Sequence, residues 1–300
     1  MSAASPALAR LLVLGGLVMS TEPTLARPLP TPPSAIAIHG HRGARAREPE
    51  NTLPAFRHAL AVGADVLELD LHVTRDDVLV VWHDARFTAE LARAPDGAPL
   101  TQPVLIRAHD YATLATYELG RASNPRFPAQ AQRPGTRLAR FDEVLALVAS
   151  SSRAVGLNVE LKAVPGRPDE TPPADAYVAL LARALEAHPS VLRRTIVQSF
   201  DHRLLRATKK RLPGVAISAL IEDTYLDYVA IARGLGAEWV SPNHLWIDRP
   251  MIEALHAAGV RVAVWTVNED ADVDRAAAMG VDAIITDDPE RTRARLATRR

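Results

Sequence analysis

The chain has 300 residues, with 35 basic and 35 acidic side chains and no cysteine. A formal charge of zero gives no electrostatic case for nucleic acid or an anionic membrane as partner. The lack of cysteine excludes disulfides, thiolate catalysis, thiolate metal sites and a lipid-modified N-terminal cysteine.

Arg10 precedes an apolar run over residues 11–19, and a polar stretch then leads to Thr24-Leu25-Ala26. A basic start, a short apolar core and small residues at its end predict a signal peptide over residues 1–26. The mature protein is then secreted or periplasmic. An apolar tail with no such role is the alternative. The run is too short to cross a bilayer, so no stable membrane insertion is expected. Residues 27–34 are proline-rich and read as a linker, so folding starts near Ala35.

Residues 36–39 read as a strand leading into Gly40-His41-Arg42-Gly43. Thr52 is a good N-cap and Pro54 suits a first turn. Phe56, Leu60 and Val62 follow at helical spacing, and Gly63 stops the helix. Residues 64–73 then alternate. Val66, Leu67, Leu69, Leu71 and Val73 are apolar, while Glu68, Asp70 and His72 occupy every second position and share one strand face. Two carboxylates placed together need a positive partner, and a hard divalent cation held by oxygen ligands is a natural one. A solvated strand face is the plainer alternative. A second run, residues 78–82, ends at His83-Asp84. Residues 85–140 have poor periodicity and prolines at 95, 99, 103, 125, 128 and 134, which marks an inserted excursion.

After Phe141 the rhythm is regular. Helices are predicted at 142–149, 174–187, 202–211, 226–235, 250–258 and 271–279, with a last one closing the chain. Strands are predicted at 155–162, 195–200, 215–221, 238–241, 261–267 and 283–286. With the two earlier strands this gives eight strands alternating with helices, the pattern of parallel strands joined by crossovers. The fold class is α/β, a (β/α)8 TIM barrel over residues 35–300 with an insertion at about 85–140. An open doubly wound sheet competes, although no glycine-rich dinucleotide fingerprint follows any strand. A barrel demands chemistry at the C-terminal ends of its strands. His41-Arg42, Glu68 with Asp70 and His72, Glu160 with Lys162, Gln198, Asn243-His244, Trp265 with Asn268, and Thr286-Asp287 fall at those ends.

Those residues carry a resemblance. His41-Arg42-Gly43, Glu50-Asn51-Thr52, Gly63-Ala64-Asp65 and Glu68-Leu69-Asp70 are similar to the glycerophosphodiester phosphodiesterase family. So are His83-Asp84, Glu160-Leu161-Lys162, Ser199-Phe200, Trp265-Thr266-Val267-Asn268 and Thr286-Asp287. The resemblance covers nearly the whole mature chain in the family's order. It implies metal-dependent hydrolysis of glycerophosphodiesters to glycerol 3-phosphate and an alcohol. It further implies His41 and His83 as the acid/base pair, and Glu68, Asp70 and Glu160 as ligands of one divalent cation, Mg2+ or Ca2+. Arg42 and Lys162 would hold the phosphate. Trp265 itself reads either as barrel packing or as a wall beside the glycerol. The substrate is then a small phosphodiester. The oligomeric state is not set by the sequence. Two departures stand out. The family usually has glycine in the turn where this chain has Asp76-Asp77, and Ala85-Arg86-Phe87-Thr88 replaces its usual pattern after the second histidine. The turn and the start of the insertion are therefore expected to differ.

Alternatives from other classes are a barrel that binds phosphodiesters without cleaving them, and a lipid-active phosphodiesterase of the lysophospholipase D type. The latter calls for an apolar rim, for which the insertion offers Leu91, Ile106 and Phe127. His72 is read as packing or as a hydrogen-bonding neighbour of the carboxylates. His39, His58, His109, His188, His202 and His256 are read as structural or exposed.

Overall fold

A computed structural model describes residues 1, 35–122, 124–223 and 227–298. The expected signal peptide, apart from Met1, and the linker lie outside them. The order opens with β1 (Ala37–Gly40), α1 (Leu53–Ala61), β2 (Val66–Val73) and a short return strand, β3 (Leu79–Val81). The excursion contributes β4 (Arg86–Phe87), β5 (Val104–Leu105) and α2 (Tyr111–Leu114). Then come α3 (Phe141–Ala149), β6 (Gly156–Leu161), α4 (Ala174–Glu186), α5 (Pro189–Leu192), β7 (Thr195–Ser199) and α6 (His202–Arg211). The chain ends with β8 (Ala216–Ile221), α7 (Tyr228–Leu235), β9 (Trp239–Pro242), α8 (Arg249–Ala257), β10 (Arg261–Val264), α9 (Asp270–Met279), β11 (Ala283–Thr286) and α10 (Pro289–Ala297).

The parallel pairings run β1, β2, β6, β7, β8, β9, β10, β11 and back to β1, which closes an eight-stranded barrel. Strand alternation then sorts the side chains. Leu67, Leu69 and Leu71 of β2 and Leu157, Val159 and Leu161 of β6 join the large core cluster between barrel and helices. The opposite face fills the barrel interior, where Trp239, Ala263, Ala283 and Ile285 form a separate cluster. A buried leucine in such a layer typically contributes about 2–5 kcal/mol relative to alanine. The same alternation sends Glu68 and Asp70 inward. Register places Glu68 beside Asn158, and Asp70 beside Glu160.

Local sequence explains the ends. The Thr52 side chain accepts from the Ala55 amide and caps α1, with proline in its first turn. Asp77 adopts a left-handed φ of 60°, so the Asp76-Asp77 turn is made by a residue type that tolerates that region. The seventh barrel strand is shorter than predicted. It ends at Val264, and Trp265 makes only an isolated bridge with Asn243 while its indole N–H donates to the Ser241 carbonyl at 2.8 Å.

The excursion packs as its own unit. Val80, Trp82, Phe87, Ile106, Leu114, Leu119 and Leu138 form a cluster distinct from the barrel core, with the Trp82 and Phe87 rings 5.1 Å apart. Ile106 is buried in that cluster, Leu91 packs against it, and Phe127 lies under the Arg45 guanidinium. Ile106 is therefore closed off from an apolar rim, while Leu91 and Phe127 are only part-buried. Among the described residues no helix is long and apolar enough to cross a membrane.

Candidate active site

Each site residue reaches the barrel mouth for a local reason. His41 and Arg42 follow β1 directly. Arg42 has a φ of 51° and Gly43 a φ of 88°. A Cβ on Gly43 would lie 2.7 Å from the Ala55 backbone, so only glycine fits that turn. The bend aims the Arg42 backbone N–H at Glu68 Oε2, 2.8 Å away. His83 arrives by a different route. β3 runs antiparallel to β2, pairing Val81 with Leu71, and the Trp82 amide donates to the Asp70 carbonyl. This return brings His83 down to the level of Asp70.

Glu68, Asp70 and Glu160 each present a carboxylate oxygen, all within 4.8 Å of one another, and all three residues are buried. Burial raises the Glu68 carboxyl well above its ordinary range, and the neighbouring Asp70 and Glu160 charges raise it further. Glu160 is also raised, chiefly by burial, against the pull of Lys162. For Asp70, burial opposes ionisation, but His83, Arg42 and Lys162 outweigh it and hold the carboxyl well below its usual range. Among the described residues the buried Asp70 Oδ1 atom has no hydrogen-bond partner, and Lys162 Nζ lies 3.8 Å from it. A lone carboxylate oxygen beside two further carboxylates fits a hard divalent cation, as does the all-oxygen donor set.

The cations surround this trio. Arg42 Nη1 donates to Glu50 Oε1 at 2.6 Å, and its Nε lies 3.4 Å from Asp70 Oδ2. Lys162 Nζ lies 2.7 Å from Glu160 Oε1 and 3.1 Å from His83 Nε2. Glu160 and Asp70 keep Lys162 charged against the cost of burial. The other ring nitrogen of His83 contacts Asp84 Oδ1 at 2.7 Å. His41 Nε2 lies 4.0 Å from Glu68 Oε2. Burial lowers the His41 pKa to about 4, with Asp287 pulling the other way, so the imidazole is neutral near pH 7.

The structure thus brings together all eight residues singled out from the sequence. His41, Arg42, Glu68, His83, Glu160, Lys162 and Trp265 line one cavity of about 220 Å³, and Asp70 lies beneath it. Phe200 packs edge-on against Trp265 with ring centroids 5.6 Å apart. His72 is buried, and its Nε2 bonds the His83 carbonyl. His39 is buried in the barrel interior.

Sequence reasoning assigned no role to a further set. Asp287 Oδ1 lies 2.6 Å from His41 Nδ1 and receives Arg45 Nε at the same distance. Asn51 donates to Asp70 Oδ2 at 2.8 Å. Gln198 donates to Glu68 Oε1 at 3.0 Å and accepts from Asn158 at 3.0 Å. Asn51, Asp287 and Phe200 stand inside motifs quoted above, which was the available signal. Their partners, distant in sequence, were not legible.

Comparison with known proteins agrees with this geometry. The model of the glycerophosphoryl diester phosphodiesterase family matches residues 41–291. A glycerophosphodiester phosphodiesterase of Caldanaerobacter subterraneus is 29% identical over 257 residues, spanning 84% of this chain and 94% of the relative. A crystal structure from the same family in Silicibacter pomeroyi superposes with a TM-score of 0.83 at 31% identity, covering 89% of this chain and 95% of that one. The fold is shared with an Oleispira antarctica phosphodiesterase solved with its product sn-glycerol-3-phosphate, at a TM-score of 0.73 and 20% identity over 87% of this chain and 96% of that one. The chain belongs to the glycerophosphoryl diester phosphodiesterase family and is an enzyme of that kind.

Proposed function

We propose that the protein hydrolyses glycerophosphodiesters to glycerol 3-phosphate and an alcohol, using His41 and His83 for proton transfer and one divalent cation, Mg2+ or Ca2+, on Glu68, Asp70 and Glu160. The observation that carries this is the placing of both histidines around the three buried carboxylates at one mouth, with Arg42 and Lys162 between them. When bound, the cation supplies a Lewis acid for the phosphoryl oxygens.

The chain's own residues do the rest. Arg42 and Lys162 neutralise the diester anion and the charge that develops on it. Asp287 accepts from Nδ1–H of His41, which leaves Nε2 bare and facing the cavity. A neutral imidazole in that tautomer takes the proton of the attacking O–H as its oxygen bonds to phosphorus. His83 gives a proton to the alkoxide as the opposite P–O bond breaks. Lys162 now points at His83 Nε2, and a bound phosphate draws the ammonium away and frees that nitrogen to carry the proton. The two histidines then exchange protons with solvent to reset. The structural-only alternative, a binding barrel, leaves this paired arrangement without a purpose.

The test is release of glycerol 3-phosphate from glycerophosphocholine and glycerophosphoglycerol, with magnesium, calcium or chelator. No release under any condition defeats the reading, and full activity after exhaustive chelation defeats its metal.

A second reading, an acylated substrate, has one observation in its favour. Val164, Phe200, Leu245 and Trp246 are exposed, and all lie just after barrel strands at the same mouth. Comparing lysophosphatidylcholine with glycerophosphocholine separates the two. Export is also proposed, from the pattern over residues 1–26. An intact Met1 on the purified native protein counts against it.

A further inference from the structure

We infer that a second cavity, beyond the wall formed by Lys162 and His83, receives the leaving alcohol and favours one bearing a positive charge. The inference rests on the hydrolysis proposed above. The second cavity has a volume of about 440 Å³ and shares His83, Glu160, Lys162 and Phe200 with the first. The first, at about 220 Å³, is smaller than the roughly 300–1,000 Å³ of sites for drug-sized ligands, and suits a small polyol phosphate. A phosphodiester has two arms. With its phosphate held at Lys162, the shared wall, one arm enters each space.

The charges of the second cavity are not balanced. Lys162 is matched by Glu160 at 2.7 Å. Arg86 faces two carboxylates, Glu170 at 2.5 Å and Asp169 at 3.9 Å. Asp84 pairs with the His83 imidazole at 2.7 Å, no lysine or arginine among the described residues lies within ion-pair distance of it, and its side chain is 52% exposed. An excess of carboxylate therefore surrounds the space, while Val164 and the half-exposed Phe200 ring supply apolar walls. An ammonium or quaternary ammonium group gains from both, through charge attraction and through contact with an aromatic face. An uncharged polyol gains neither, and an anionic head group is repelled.

The experiment compares kcat/KM for glycerophosphocholine and glycerophosphoglycerol in the wild type, Val164→Lys and Val164→Asp. Val164 is 55% exposed, so either charge is accommodated in the fold. A circular-dichroism spectrum and a Tm like those of the wild type report that each variant is folded. The wild type is expected to favour the choline diester. Val164→Lys should lower that ratio and Val164→Asp should raise it, each by about two- to five-fold, the effect of one partly exposed charge. A wild-type ratio at or below one, or a ratio that neither variant moves, overturns the inference while leaving the hydrolase standing. Failure to cleave either diester removes the proposed hydrolysis and the inference with it.

Discussion

The Nδ1 atom of His41 lies 2.6 Å from Oδ1 of Asp287, a contact between residues 246 positions apart. Burial opposes ionisation of Asp287, but His41 and Arg45 together hold its carboxyl well below the usual range. The carboxylate is further fixed by Asn268, whose amide donates to Oδ2 at 2.7 Å. An ionised, immobile acceptor at Nδ1 selects the tautomer with Nε2 bare. In Asp287→Asn the amide offers an N–H in its place, and the ring turns to the opposite tautomer. We expect kcat to fall by about 10²–10⁴-fold with KM little changed. Steady-state kinetics on one diester decide it, and a kcat within a few-fold of the wild type shows that Asp287 only packs.

His41→Ala and His83→Ala should each lower kcat by about 10²–10⁴-fold, since each removes a transition-state role. The double variant should be slower than either single one by far less than the product of the two effects, because one relay cannot fail twice. Full multiplicativity means that the histidines act independently. A near-normal kcat in either single variant makes that histidine structural. Replacing Arg42 by lysine keeps the charge but loses the planar fork that reaches Glu50 and Asp70, so KM should rise as well.

The buried trio predicts a thermal signature independent of turnover. Three carboxylates with oxygens within 4.8 Å repel one another in the cation-free protein. Magnesium or calcium at about 100 times its Kd should stabilise the fold by about 2.7 kcal/mol, seen as a rise in Tm. Glu68→Gln removes one ligand and should cut that rise sharply. A Tm indifferent to both ions in the wild type contradicts the assignment of this cluster as a cation site.

Much of this was legible in the sequence for one reason. Side-chain periods of 2 and 3.6 residues are local properties, so the eight strands and their helices show in the order of apolar residues. The same period placed Glu68 and Asp70 on one face, and Glu160 and Lys162 on another, before any pairing was known. What stayed hidden depends on tertiary register. β3 is only Leu79–Val81, and its antiparallel return sets the height of His83. The excursion's core is built from residues scattered between Val80 and Leu138, with no sustained period to reveal it. Asp287, Gln198 and Asn51 are polar residues whose purpose lies in contacts 246, 130 and 19 positions away. No local pattern distinguishes such residues from others that merely satisfy a loop.

His39, 1% exposed on the inner face of β1, should make the fold sensitive to acid. Its ring meets Trp239 at 6.4 Å between centroids and Asn158 Nδ2 at 3.4 Å. Burial lowers its pKa from 6.5 to about 4, and the Asp65 charge offsets this only in part. The folded protein therefore keeps this imidazole neutral at a pH where the unfolded chain has already protonated it. The stability this gives is complete above about pH 6.5 and drains away as pH falls toward 4, where the folded form binds its own proton. Each tenfold difference in proton affinity between the folded and unfolded chain is worth about 1.4 kcal/mol, so the loss is at most about 3 kcal/mol. Urea denaturation of the wild type and His39→Gln between pH 7 and 4.5 measures it. The variant should be less stable at pH 7, through a poorer fit against Trp239, but should lose less stability on acidification. Parallel losses in the two proteins would show that the acid sensitivity comes from other groups.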